Sequence, residues 1–331
     1  MPTFCRHNRF VQNCPICREP EPPRRTRESG GGRANARTSS SPGGLRTRSS
    51  GADGASSGPA ARSASRGGGV RVRRMARATD DGYRSSLVPG LKASADAERL
   101  ADELAFASAR LAELAADPPG AYGEAASEPD REEALWLVFL ATVVGPSAGD
   151  DAWVGVQAAR TLWASGEVPN LGGVSRGFRA SGDERTLGAY RAWAARAGSQ
   201  GTAIDGEAAW TPERRFDRAF ERLSLPGLDR GARFDFLVAA GRLGLADVRA
   251  AALHFGDDAA TLAAKRVFGI GDALLLARRA TDLAEEADVP IEALDLALFN
   301  WGQPAAGRAT MGAGAEADPD LRAQVAAALG V

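Results

Sequence analysis

From about residue 85 to the C-terminus, apolar residues recur at helical spacing, and no β-branched alternating run reaches a useful strand length. That periodicity confines the body of the chain to an all-α fold. Start signals punctuate it. Asp130 and Glu133 have capping-box spacing before ALWLVFLATVV, and so do Ser181 and Glu184 before the segment carrying Leu187, Tyr190 and Trp193. Thr211-Pro212 reads as an N-cap followed by proline at the first helical position, leading into Phe216, Phe220 and Leu223. The same pattern predicts helices over 93–116, 151–164, 230–243, 259–267, 272–287, 290–301 and 319–328. The run 135–144 is apolar all round, which predicts a central buried helix and is too short to span a bilayer.

Ahead of this body the composition changes. Residues 21–80 are nearly all Gly, Ser, Pro, Ala and Arg, with Leu45 the only large apolar residue before Val70. Such a segment cannot bury enough apolar surface to offset its chain entropy, so it is predicted to be a disordered linker. The net charge of −1 hides an asymmetry: residues 1–77 carry 16 Arg against four acids, a net of +12, and residues 78–331 carry 25 Arg plus Lys against 38 acids, a net of −13. The basic arm suits phosphate contact without sequence preference. Lysine occurs only at Lys92 and Lys265, so the arginine count reflects a composition bias as much as any ligand. The start MPTFCRHNRF has no apolar h-region, which leaves a cytoplasmic protein, nucleoid-associated if it binds DNA, as the expectation.

Residues 1–20 hold four of the five Cys and His residues, Cys5, His7, Cys14 and Cys17, as C-x-H-x6-C-x2-C. Zinc takes four N or S donors in a tetrahedron, and a C-x2-C knuckle supplies two of them from one turn. The set predicts a structural zinc module, closed to substrate, that binds DNA or a protein partner. The alternative is a redox dithiol at Cys14 and Cys17, which lacks a βαβ context and leaves Cys5 and His7 without a role.

Within the body, AKRVFGIGDALLLARRA (264–280) places the turn Gly269-Ile270-Gly271 between two helical patterns. It looks like a helix-hairpin-helix motif, whose turn amides and following helix N-terminus face a DNA phosphate. On that reading Lys265 and Arg266 add phosphate contacts and Ile270 plugs the gap between the helices; the competing reading is a tight αα-corner. Asp272, where such turns usually carry a basic residue, suits the helix dipole and repels phosphate.

Asp295 lies 24 residues beyond Gly271, in ADVPIEALDLALFNWGQ. In helix-hairpin-helix DNA glycosylases an aspartate about that far past the turn stabilises the sugar cation or polarises a water as the base leaves; the competing reading is a structural acid in mid-helix beside Ile291, Leu294 and Leu298, paired to an arginine or protonated. The position of the Schiff-base lysine of bifunctional members is Ala273, so hydrolysis without a lysine nucleophile is expected. Asn300 and Trp301 are candidates to read and stack on a flipped base, with core packing the alternative. Arg214, Arg218 and Arg222 run beside Glu213, Asp217 and Glu221 and read as a solvated face laced with weak ion pairs. His254 has no Cys or second His near it in sequence, and a core or surface role is expected.

Together, FCRHNRF…CPIC, EALWLVFLATVVGP, WTPERRFDRAFERL and KRVFGIGDALLL…LDLALFNWG resemble the alpha-glutamyl/putrescinyl thymine pyrophosphorylase clade 3 family, a branch of the helix-hairpin-helix DNA glycosylase superfamily. The resemblance covers residues 1–20 and about 85–312. It implies a helix-hairpin-helix glycosylase-like helical domain over 85–331 that acts on DNA containing modified pyrimidines, with Asp295 as its catalytic residue. Three activities follow as expectations: glycosylase-like excision of a hypermodified pyrimidine, group transfer at the 5-substituent of a modified thymine with release of pyrophosphate, or non-enzymatic nucleic-acid binding by an adaptor.

Overall fold

The structure is a computed structural model that describes residues 78–147, 151–304, 307–312 and 317–331. Every described residue lies in the compact unit Val70–Val331. The Cys5, His7, Cys14 and Cys17 set and most of the basic linker lie outside the described residues.

All regular structure among the described residues is helical, so the body is all-α. The helices are α1 (Ser94–Ala116), α2 (Ala121–Ser127), α3 (Arg131–Val144), α4 (Val154–Ala158), α5 (Glu184–Ala197) and α6 (Gln200–Asp205). They continue with α7 (Pro212–Arg222), α8 (Arg230–Arg242), α9 (Ala259–Phe268), α10 (Ala273–Glu286), α11 (Ile291–Gly302) and α12 (Pro319–Leu329). No helix among the described residues is long and apolar enough to cross a membrane.

The helices pack as two groups. In one, α11 lies against α1, α9 and α10, and α12 covers α1; in the other, α3 lies against α2, α4, α6 and α8. Helix α8 touches both groups, through α3 and α7 on one side and α1 on the other. The apolar run of α3 is buried without a break from Ala134 to Val144, as its sequence predicts. Its Phe139 stacks on Tyr190 at 3.7 Å between ring centroids, with Phe236 edge-on to both. Each such fully buried side chain stabilises the fold by about 1.5–3 kcal/mol.

Two of the expected caps are built differently. Asp130 caps α3 by accepting from the Glu132 N–H, but Glu133 does not reach back to it. The Glu133 carboxylate instead accepts from the backbone N–H groups of Trp163 and Ala164, at 2.6 and 2.9 Å. The helix expected over 151–164 is confined to α4, and Trp163 and Ala164 give their N–H groups to a side chain on another helix instead. Helix α5 starts from Asp183, which forms a capping box with Thr186, while the Ser181 hydroxyl accepts from the Asp229 N–H at 2.9 Å.

The segment before α1 docks on the end of α9. The Gly90 N–H donates to the Val267 carbonyl at 2.9 Å, and a Cβ on Gly90 would lie 2.0 Å from the Arg266 carbonyl and 2.5 Å from the Gly269 nitrogen. Backbone atoms cannot yield as a flexible side chain can, so Gly90→Ala is expected to destabilise the protein by about 1–3 kcal/mol, read as a lower urea midpoint at unchanged m-value. A midpoint equal to wild type would mean that this segment does not dock in solution.

Candidate active site

Helix α11 opens after Pro290 and presents Asp295 toward α8, where the two helix groups meet. Asp295 is 2 % exposed and both of its oxygens are engaged: Arg179 Nη2 donates to Oδ1 at 2.9 Å, and Arg230 Nη2 donates to Oδ2. Each arginine is shared with a second carboxylate. Arg179 holds Asp235 through a two-bond fork of 2.7 and 2.7 Å, and Arg230 Nε donates to Asp258 at 2.8 Å. The line Asp235–Arg179–Asp295–Arg230–Asp258 therefore ties the loop before α5, helix α8, the N-cap of α9 and helix α11 into one buried network. The Arg179 guanidinium also lies over the Phe299 ring, 4.6 Å from its centroid.

Charges at this depth persist only when paired and hydrogen-bonded. Burial works against the charge of Arg179, but the Asp235 and Asp295 carboxylates outweigh it and hold its pKa above the ordinary arginine value; Asp295 and Asp258 do the same for Arg230. The carboxylates differ from one another. Burial pushes Asp235 above the usual carboxylate range, against the pull of Arg179 and with help from the nearby Asp295 charge. Asp258 is also penalised by burial, yet Arg230 and bonds from Thr261 hold it below that range. The three carboxylates outnumber the two guanidinia. Arg179 Nη1 and Arg230 Nη1 are buried with no hydrogen-bond partner among the described residues.

Asp235 also lines a small cavity of about 30 Å³ with Arg110, Leu111, Leu114, Phe234, Val238, Glu292, Leu296 and Met311. Val238 and Glu292 are shared with an open cleft of about 520 Å³, which Arg242, Arg249 and the start of α11 complete.

The other residues singled out in sequence fall elsewhere. Gly269 ends α9 in the left-handed conformation (φ 66°), and the surface from Gly271 to Leu275 is exposed, including Leu274 and Leu275. Asp272 caps α10, its Oδ1 accepting from the Leu274 and Leu275 N–H groups at 3.0 and 3.0 Å. Those two donors are spent within the protein, so an anion at this turn would depend on the other turn amides and on Lys265, which is half-buried at the end of α9. Ile270 packs against the core.

Trp301 is buried, donates from Nε1 to the Asp96 carbonyl at 2.9 Å, and has the guanidinium groups of Arg99 and Arg266 over its ring at 5.9 and 5.0 Å. The Asn300 amide is paired in both senses with Ala309, donating to its carbonyl at 3.1 Å and accepting from its N–H at 2.8 Å. A base stacking on the one or read by the other would have to displace these contacts. His254 sits against Phe220, with Nε2 3.0 Å from Asp217 Oδ1, and Arg214 and Arg222 lie over Trp210.

Arg179, Arg230, Asp235 and Asp258 were not singled out in the sequence. The signal available was a charge set inside apolar surroundings, as for Asp235 between Phe234 and Phe236. That pattern shows burial and gives no partner. No curated protein and no solved structure matches the chain. A family model described as alpha-glutamyl/putrescinyl thymine pyrophosphorylase clade 3 matches residues 176–307. That span is under half of the 331 residues and leaves out the FCRHNRF…CPIC and EALWLVFLATVVGP segments, but it contains all five members of the ion cluster.

Proposed function

We propose that the chain acts on a modified thymine in DNA by group transfer at the 5-substituent, with Asp235 as the proton acceptor beside an Asp295-centred ion cluster. The observation that carries this reading is the coincidence of a raised-pKa carboxylate, a cavity and the matched span: Asp235 satisfies all three. In the reaction an amine nitrogen forms a bond to the 5-methylene carbon as the bond from that carbon to the pyrophosphate oxygen breaks. The electron pair leaves with pyrophosphate, and the proton of the new ammonium passes to the Asp235 carboxylate. A base of raised pKa is better matched to that proton than an ordinary carboxylate.

The geometry favours transfer over hydrolysis at the sugar for one reason. Asp295, which a glycosylase would aim at the sugar or at water, is bridged by two arginines and does not line the cavity, whereas Asp235, though forked to Arg179, does. Hydrolytic excision stays as the second reading because the cluster carries more carboxylates than guanidinia, a surplus that would favour a developing sugar cation. Product analysis separates the two. Duplex DNA bearing pyrophosphorylated 5-hydroxymethyluracil is incubated with the protein and an amine, and the products are followed by mass spectrometry. Pyrophosphate release with an amine-substituted base kept in the strand is the expected result. Free base and an abasic site would mean excision, and neither product would favour the adaptor.

Binding of DNA is assigned to the exposed turn after α9 and to the basic arm, and Cys5, His7, Cys14 and Cys17 are proposed to hold one structural zinc. Metal analysis after mild purification is expected to find about one zinc per chain, the capacity of one tetrahedral four-donor site. A content near zero, with the thiols reduced, would remove zinc from the proposal.

A further inference from the structure

The cavity beside Asp235 contains a second set of polar groups that the cluster does not use. Arg110, on α1, is 2 % exposed and pairs with Glu113, yet its Nε has no hydrogen-bond partner among the described residues. Glu292, on the first turn of α11, is buried and pairs with Arg242 through Oε2 alone, at 3.2 Å. Arg110 and Glu292 both line the cavity, and neither takes part in the Asp295 network. A buried N–H donor left without an acceptor is costly, so its presence beside a cavity points to a ligand or a water that completes it.

Met311 also lines this cavity. Its backbone has φ 53°, a region a long side chain seldom adopts without compensation. The short segment that carries it is fastened on both sides. Ala309 is held by the two bonds to Asn300, and the Gly312 carbonyl accepts from Trp153 Nε1 at 3.2 Å. With Met311 in place, about 30 Å³ remains, room for water and none for a pyrimidine ring.

We infer that this cavity is a pocket for a uracil-type base and that Met311 is its plug, a specificity-determining residue that must withdraw for the base to enter. The inference rests on the transfer reading above and adds the site that would hold the ring. A uracil-type edge presents a carbonyl acceptor beside an imide N–H donor. Arg110 Nε–H and the Glu292 carboxylate are the complementary donor and acceptor, whereas the amino group of cytosine would replace the carbonyl and oppose Arg110. The 5-substituent would then lie on the side of the pocket that holds Asp235. Methionine suits a plug because its unbranched thioether repacks easily.

The test measures binding of free 5-hydroxymethyluracil and of free cytosine to the full-length protein by equilibrium dialysis, separately from any reaction. Met311→Ala is expected to bind 5-hydroxymethyluracil about tenfold more tightly than wild type, since the closed state no longer reduces the fraction competent to bind. Arg110→Lys keeps a cation for Glu113 but removes the Nε–H, and is expected to lose most of the preference over cytosine. Hydrogen exchange on the wild-type protein supplies a second readout that needs no variant: the Ala309 amide should lose protection when the base binds. Equal affinity in wild type and Met311→Ala, or unchanged protection at Ala309 under saturating base, would overturn the plug.

The outcomes also separate this inference from the reaction. Transfer on DNA with wild-type KM in Met311→Ala would leave the chemistry standing and sink the plug. Met311-dependent base binding, with no product from any modified duplex, would do the reverse.

Discussion

Asp295→Asn is expected to destabilise the protein by about 3–5 kcal/mol, the range for removing one partner from a buried ion pair. The asparagine amide has one acceptor oxygen, so only one of Arg179 and Arg230 keeps its bond, and the other meets an N–H₂ group. Arg230 would keep Asp258, and Arg179 would keep Asp235. Each guanidinium would still lose a charged partner with no solvent to replace it. Urea unfolding of wild type and variant measures the effect. A loss below about 1 kcal/mol would mean that the network is wetter than its burial indicates. A large loss has a consequence for assays: inactivity of Asp295→Asn on its own does not identify a catalytic residue, because the variant removes the brace between α8 and α11.

Asp235→Asn is expected to lower kcat by about 10²–10⁴-fold, the usual contribution of a positioned general base. It should cost less stability than the Asp295 change, about 1.5–3 kcal/mol, since its two-bond fork serves a single guanidinium whereas Asp295 serves two. The burial that raises the Asp235 pKa also makes its neutral form easier to accommodate. In wild type the base form appears only as pH rises through that raised value. The acid limb of the kcat/KM profile is therefore expected at higher pH than an ordinary carboxylate would place it. Asp235→Glu should keep a limb with reduced rate, and Asp235→Asn should abolish it. An unchanged profile in Asp235→Asn would remove this residue from the chemistry.

The same shifts act on stability with opposite signs. Asp235 has a folded pKa raised above its unfolded value, so its contribution is complete below the unfolded pKa and is lost as pH rises through the folded one. Asp258 has a lowered folded pKa, so its contribution is present above the unfolded pKa and is lost as pH falls through the folded one. Asp258 and its Arg230 bond therefore make the cluster sensitive to acid.

Much of the helical framework was legible in the sequence because it is set locally. Thr211-Pro212 opens α7, the apolar run of α3 is buried throughout, and Gly269 ends α9, each from residues within a turn or two. The misreadings come from side chains that reach across the fold. Glu133 has the spacing of a capping-box partner, but its carboxylate is taken by Trp163 and Ala164, thirty residues away, and the helix expected there shortens to α4. Ser181 has the spacing of a cap, but its hydroxyl is used by Asp229 and Asp183 caps α5 in its place. The short α2 and α6 carry too few residues for a periodic signal.

At the site, the residues around Asp295 show that it lies among apolar neighbours on a helix and must be paired or neutral, because an isolated buried carboxylate is too costly to leave ionised. Packing between helices makes it paired. Arg179 comes from a loop and Arg230 from α8, 116 and 65 residues away in the chain, and they meet at Asp295 where the two helix groups pack together. Local propensity shows which residues turn inward. Which buried charge faces which is a property of the packing between helices, and that depends on contacts no short window of sequence contains.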